Sequence, residues 1–183
     1  MTTKKRISVS TSSANETTKW GQKLGRLLKR GDTVLLFATL GGGKTTFTQG
    51  LLKGLGGHDL PPSPTFIMAQ TFKARVPLHH MDFYRMNAAE LIAKGVQDYF
   101  TGEGEIAPGV VVVEWPERCR DIWPKERLDV KISLRKNLTD RKLEFIARGK
   151  RFESLLEKFV IPEILNPGSS SRKNSIARRG FRE

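Results

Sequence analysis

Thr33-Val34-Leu35-Leu36-Phe37-Ala38-Thr39-Leu40-Gly41-Gly42-Gly43-Lys44-Thr45-Thr46 is the stretch on which the fold turns. From Thr33 to Ala38 it is a short run of apolar strand formers, as expected of a strand buried on both faces. Three glycines follow, and from Lys44 to Leu55 the residues Phe47, Leu51, Leu52 and Leu55 share one helical face until Gly56-Gly57 ends the pattern. A buried strand that breaks at glycines and restarts as a helix is the setting in which Gly-Lys-Thr reads as a phosphate-binding loop. Glycines let backbone N–H groups turn inward, and the new helix adds its unpaired N–H groups and positive dipole end. Lys44 then reaches the β- and γ-phosphates as a point charge, and the Thr45 hydroxyl is placed to ligate Mg²⁺. Leu40, Gly41, Gly42, Gly43 and Thr46 complete the predicted cradle. The pattern G-x-x-x-x-G-K-[ST] has a glycine where this chain has Ala38, a methyl that constrains the loop's entry but leaves the three glycines free. The competing reading is a glycine-rich turn with a structural role only.

A nucleotide-hydrolysing site of this kind needs a further carboxylate, usually at the end of an adjacent buried strand. Val110-Val111-Val112-Val113 followed by Glu114 supplies one, because an acid closing a core strand is costly without a partner. The plainer alternative is a strand-end acid that reaches solvent. Asp82, after Leu78-His79-His80-Met81, is a second strand-end acid, suited to orienting an attacking water. His79 and His80 are consecutive on a strand, point to opposite faces and cannot jointly grip a metal, so both read as structural. Trp115 reads as packing. GTPases with such a loop carry Asp-x-x-Gly and Asn-Lys-x-Asp elements; the first is absent here, and Asn137-Leu138-Thr139-Asp140 lacks the lysine. ATP is therefore the favoured nucleotide.

Working outward, Ser12, Ser13 and Asn15 offer caps for a helix in which Trp20, Leu24, Leu27 and Leu28 recur at helical spacing up to Gly31. Pro61-Pro62-Ser63-Pro64 excludes helix or central strand, so a loop is expected from Leu60 to Thr65, then a strand over Phe66 to Phe72. That strand should pair across Lys73-Ala74-Arg75 with another over Pro77 to Phe83. A short helix is predicted around Ala88 to Lys94, an antiparallel hairpin from Leu128–Leu134 and Lys142–Ala147, and a last helix over Arg151 to Val160. These elements predict an α/β fold, a P-loop nucleoside triphosphatase with a mixed sheet (parallel core plus antiparallel hairpins) flanked by helices. One domain is expected over residues 1–166, with a basic, disordered tail over residues 167–183.

The chain has 183 residues, 38% of them hydrophobic and 28% charged, a mix that suits an ordinary globular core. Its apolar runs are far shorter than the roughly 18 to 20 residues of a membrane span. Met1 to Arg6 leads into polar sequence and does not read as a secretory signal, which makes cytoplasm the default expectation. Cys119 is the only cysteine, so neither an intrachain disulfide nor a several-thiolate zinc site is expected. The formal net charge is +13, and residues 1–30 hold eight bases against Glu16 alone. Lys19, Lys23, Arg26 and Arg30 line up beside the apolar stripe of the first helix. Such a row favours a polyanion such as tRNA through counterion release, or an acidic protein surface; simple solvation is the alternative.

In combination, Gly31-Asp32, Leu40-Gly41-Gly42-Gly43-Lys44-Thr45-Thr46, Ser63-Pro64-Thr65-Phe66, His80-Met81-Asp82-Phe83-Tyr84-Arg85, Gly95 with Asp98-Tyr99-Phe100, and Glu114-Trp115-Pro116-Glu117 resemble the TsaE (YjeE) family over roughly residues 13–148. That family provides the ATPase subunit of the bacterial machinery that installs N6-threonylcarbamoyl on adenosine 37 of tRNAs. The resemblance implies that Lys44 and Thr45 hold triphosphate and Mg²⁺, that Glu114 helps bind the metal, and that Thr65 lies on a loop sensing the γ-phosphate. Asp82 would support hydrolysis, and Arg141 matches a position near the nucleotide. It also implies TsaD-type and TsaB-type partner subunits, the transfer chemistry residing in the former, and slow turnover by this subunit alone. The family usually reads Gly-Asp-Leu-Gly-Ala-Gly-Lys-Thr, whereas Ala38 and Thr39 stand in the first two places here, so any role of the missing acid does not transfer. Two rival functions follow from the residues: a P-loop kinase of a small molecule, and a basic RNA-binding module with a vestigial nucleotide site.

Overall fold

Val34, Leu35 and Leu36 are fully buried because their strand lies at the middle of a seven-stranded sheet with apolar cover on both faces. The structure is a computed structural model that describes residues 5–58, 69–101, 106–119, 122–135 and 139–164. The loop expected at 60–65 with Thr65, the start of the strand expected from Phe66, and the tail over 167–183 lie outside the described residues. In chain order the elements are β1 (Arg6–Thr11), α1 (Ala14–Gly25), β2 (Thr33–Phe37), α2 (Lys44–Gly54), β3 (Ala69–Phe72), β4 (Leu78–Asp82), α3 (Ala88–Ala93), α4 (Asp98–Thr101), β5 (Val110–Glu114), β6 (Arg127–Leu134), β7 (Arg141–Arg148) and α5 (Lys150–Ile164). The strand order is β1-β7-β6-β2-β5-β4-β3. β4, β5, β2 and β6 run parallel, and β3, β7 and β1 add antiparallel edges. This is the mixed sheet expected, with both predicted hairpins in place.

One face packs Val34, Leu36, Val112, Val130 and Phe145 against Phe47 and Leu51 of α2, Leu24 of α1 and Phe159 of α5. The other packs Leu35, Met81, Val111 and Val113 against Phe83, Leu91 and Val96. α1 and α2 meet almost backbone to backbone. A Cβ at Gly21 would run into the carbonyl oxygen of Phe47, and one at Gly50 into that of Thr18. The P-loop helix is thereby seated on α1 with no room for side chains between them.

Two local expectations are corrected. The first helix stops at Gly25 and does not reach Gly31; the Arg26 N–H bonds to Gln22 O and that of Leu27 to Leu24 O, and Leu27 and Leu28 pack from the turn that follows. Asp32 holds that turn, accepting from the Lys29 amide at 2.9 Å and from the Arg151 guanidinium at 2.6 Å. The second is β1, whose residues read as polar sequence with no element of their own. It pairs antiparallel with β7 from Arg6↔Ile146 to Thr11↔Arg141, and only Ile7 and Val9 lean on the core. A half-covered edge strand needs no more apolar residues than that.

His79 is structural, as expected. It is buried, its Nδ1 accepting from the Thr71 hydroxyl and its Nε2–H donating to Ala107 O, each at 2.9 Å. Burial lowers its pKa below the ordinary 6.5. The unfolded chain therefore takes up this proton as pH falls through 6.5 while the folded chain does not. Stability is full above 6.5 and is lost below it, by up to about 1.4 kcal/mol per pH unit for one proton. Urea unfolding at pH 7.5 and 5.5 should show a smaller acid loss in His79→Gln than in the parent; equal losses would assign the effect elsewhere.

Candidate nucleotide-binding site

β2 delivers the chain to a turn in which Gly41 (φ 70°) and Gly43 (φ 104°) adopt left-handed backbone that side chains resist. Gly43 caps α2 without any side-chain bond to the helix's first N–H groups, which remain available to an anion. Ala38 fits because residue 42 is glycine: a Cβ there would lie 2.9 Å from the Ala38 methyl. The departure from the motif's leading glycine is absorbed inside the loop.

Lys44 is only 5% exposed. Its ammonium lies 3.1 Å from both the Ala38 and Thr39 carbonyl oxygens and 3.8 Å from the centre of the Trp115 ring. Burial lowers its pKa, and the nearby carboxylates of Glu114, Asp82 and Glu117 oppose that shift. The Thr45 hydroxyl donates to Glu114, 3.1 Å from Oε1 and 3.3 Å from Oε2. Glu114, at 2% exposure, pairs in register with Asp82 on the neighbouring strand, so both carboxylates leave the sheet on the side of α2. Asp82 Oδ1 accepts from the Tyr84 amide at 2.9 Å. A cavity of about 430 Å³ opens among these groups, lined by Leu40, the loop from Gly41 to Thr46, Asp82, Tyr84, Glu114 and Trp115.

The donors suit a small hard cation. The Thr45 hydroxyl and Glu114 Oε2, the carboxylate oxygen that His80 does not hold, lie 3.3 Å apart, close to the edge of an octahedron, about 3 Å long when the metal–oxygen bonds are about 2.1 Å. Among the described residues there is no cluster of three or more His, Cys, Asp or Glu that could cage a metal, and Mg²⁺ carried by a triphosphate does not need one.

The structure brings together Leu40, Gly41, Gly42, Gly43, Lys44, Thr45, Thr46, Asp82 and Glu114 as the sequence predicts. Arg141 lies behind the loop: its Nε donates to Gly42 O at 3.2 Å and its other nitrogen to Thr139 O at 2.8 Å, and it is not among the described residues lining the cavity. Thr65 lies outside the described residues. One assignment needs correction. His80, read as structural, is fully buried with Nε2 2.8 Å from Glu114 Oε1, so it belongs to the site. Strand alternation held the signal, since His80 and Asp82, two apart on one strand, share a face. Trp115 packs against the second core cluster, as expected, and also walls the cavity; its φ of 58° is unusual for a bulky side chain and turns the ring over the Lys44 ammonium.

A central parallel strand, a glycine turn, a helix opening with Lys-Thr and a carboxylate ending the neighbouring parallel strand define a P-loop α/β protein. Comparison with known proteins narrows the class. Residues 11–143 match the family model described as "Threonylcarbamoyl adenosine biosynthesis protein TsaE", and the chain belongs to that family. The tRNA threonylcarbamoyladenosine biosynthesis protein TsaE of Bacillus subtilis is 40% identical over 71% of this chain and 78% of its own length. That of Treponema pallidum is 40% identical over 67% of this chain and 87% of its own length. A crystal structure of Bacillus subtilis YdiB superposes with a TM-score of 0.73 at 31% identity, covering 87% of this chain and 97% of that one.

Proposed function

We propose that this chain is the Mg²⁺-dependent, ATP-hydrolysing subunit that supports threonylcarbamoyl transfer to adenosine 37 of tRNAs by a complex with TsaD-type and TsaB-type subunits. The observation that carries this reading is the Thr45–Glu114 pair beside the buried Lys44 ammonium at the mouth of a glycine turn. The family membership and the names of the relatives supply the pathway. Thr45 and Glu114 would hold Mg²⁺, which when bound neutralises phosphate charge. Lys44 exchanges two carbonyl partners for phosphate oxygens, and the α2 amides receive the remaining anionic charge. Asp82 accepts a hydrogen bond from the water that attacks the γ-phosphate, and Thr65 senses that phosphate. Reconstitution tests the whole. With the partner subunits, tRNA, threonylcarbamoyl-adenylate and ATP, repeated modification of tRNA should need this chain; modification at full rate without it ends the proposal. Release of free phosphate alone separates hydrolysis from a small-molecule kinase, which would give a phosphorylated metabolite.

The basic row expected to meet tRNA or an acidic partner borders a recess. Lys19, Gln22 and Lys23 of α1, Arg26 and Leu27 just beyond its end, and Lys158 of α5 enclose a recess of about 360 Å³. The Lys23 ammonium rests against the rings of Trp20 and Phe159, at 4.7 and 5.3 Å. Such a recess suits phosphates of an RNA backbone better than a broad acidic protein face. Reversing Lys19, Lys23 and Arg26 to Glu should weaken tRNA binding and flatten its salt dependence by about 0.7 to 0.9 log units for each phosphate no longer neutralised. Fluorescence anisotropy across a salt series reads this directly, and an unchanged slope returns these charges to solvation.

A further inference from the structure

Two buried side-chain atoms among the described residues have no hydrogen-bond partner: Nδ1 of His80 and Oε1 of Gln70. They are neighbours. Gln70 on β3 stands opposite His80 on β4 in antiparallel register, so both side chains leave the same face with Cβ atoms about 4.5 to 5.5 Å apart. Buried polar atoms rarely stay unpaired, and two on facing residues point to a bond between those residues. Chemistry sets its direction. His80 Nε2 lies 2.8 Å from Glu114 Oε1, and an ionised carboxylate only accepts. Nε2 therefore carries a proton, and in the neutral form of the ring Nδ1 is an acceptor that needs a donor. Gln70 Oε1 and His80 Nδ1 make no hydrogen bond as placed, and a change of the Gln70 rotamer that brings its NH₂ to Nδ1 gives that acceptor its donor.

We infer that Gln70, His80 and Glu114 form one hydrogen-bonded line across β3, β4 and β5: Gln70 Nε2–H donates to His80 Nδ1, and His80 Nε2–H donates to Glu114 Oε1. Gln70 and His80 are then positioning residues for the carboxylate that faces Thr45, a role that rests on reading Glu114 as a metal ligand. With Oε1 held by the imidazole, Oε2, 3.3 Å from Thr45 Oγ1, is the oxygen left for the cation. His80 has no exposed surface, so bulk water does not stand in for Gln70. Outer partners of this kind matter because they fix a ligand's orientation before the metal arrives.

Gln70→Met keeps the side chain's length and removes the donor. In the full-length, ¹⁵N-histidine-labelled protein without metal or nucleotide, the His80 Nδ1 resonance should move to the position of an unbonded acceptor. The Mg²⁺ concentration that half-saturates ATP hydrolysis should rise about 10-fold, with ATP affinity in EDTA unchanged within about twofold. An unmoved Nδ1 resonance overturns the line, and a moved resonance with an unchanged Mg²⁺ requirement overturns its positioning role. Glu114→Gln separates this from the underlying reading: if that variant keeps the parent's Mg²⁺ dependence while Nδ1 still answers to Gln70, the metal assignment fails and the hydrogen-bonded line stands.

Discussion

Lys44→Ala should lower affinity for Mg²⁺-ATP on the order of 100- to 10,000-fold, the loss of two charge-assisted hydrogen bonds at about 1.5 to 3 kcal/mol each. The loop has already desolvated this ammonium against two carbonyl oxygens and an aromatic face, so its charge is presented with little water to strip away. Hydrolysis should fall at least as far, because charge on the γ-phosphate oxygens is what the lysine offsets in the transition state. Lys44→Arg should not rescue either quantity. A planar guanidinium is too wide for a slot set by carbonyls at 3.1 Å and a ring at 3.8 Å, and its fork replaces a point charge. Isothermal titration with a non-hydrolysable ATP analogue measures the affinity, and thermal unfolding confirms that the variant remains folded. Affinity within threefold of the parent would leave a vestigial nucleotide site as the better account, with the basic recess as the working surface.

The sequence made this site legible because phosphate chemistry is local in the chain. Strand, glycines, lysine and hydroxyl are consecutive, and the turn is made by the loop's own glycines. Glu114 was legible for a different reason: an acid closing four buried valines must have partners, and Thr45 and His80 are those partners. What escaped was relational. Ile7 and Val9 become strand residues only by bonding to β7, more than 130 residues away, and nothing in six mixed residues announces that pairing. The same applies to His80, whose buried ring reaches Glu114 only because β4 and β5 are adjacent and in parallel register. Gly25 ended the first helix where apolar spacing ran on through Leu28, since Leu27 and Leu28 are placed by packing and not by helical periodicity. The left-handed backbone at Trp115 carries no sequence mark at all, and it sets the wall of the cavity.

Glu114→Gln gives the second large effect, and its direction differs with the metal present or absent. The amide keeps an oxygen for the His80 N–H and for the Thr45 hydroxyl, at 2.8 and 3.1 Å in the parent, so the fold should hold. It removes a buried negative charge that faces the anionic triphosphate. Without Mg²⁺ that charge repels the ligand, so the variant should bind ATP in EDTA at least as tightly as the parent. With Mg²⁺ the charge supplies an anionic ligand to the cation, and its loss should cost hydrolysis about 100-fold or more. Thr45→Val removes the other oxygen from the same cation. The two losses should therefore not add, and the double variant should turn over about as slowly as the worse single one. A malachite-green phosphate assay over a Mg²⁺ series, run for the four proteins of this cycle, decides the matter. Additive losses would place the hydroxyl and the carboxylate in separate roles. A Glu114→Gln protein that still gained its full rate from Mg²⁺ would move the metal to other ligands.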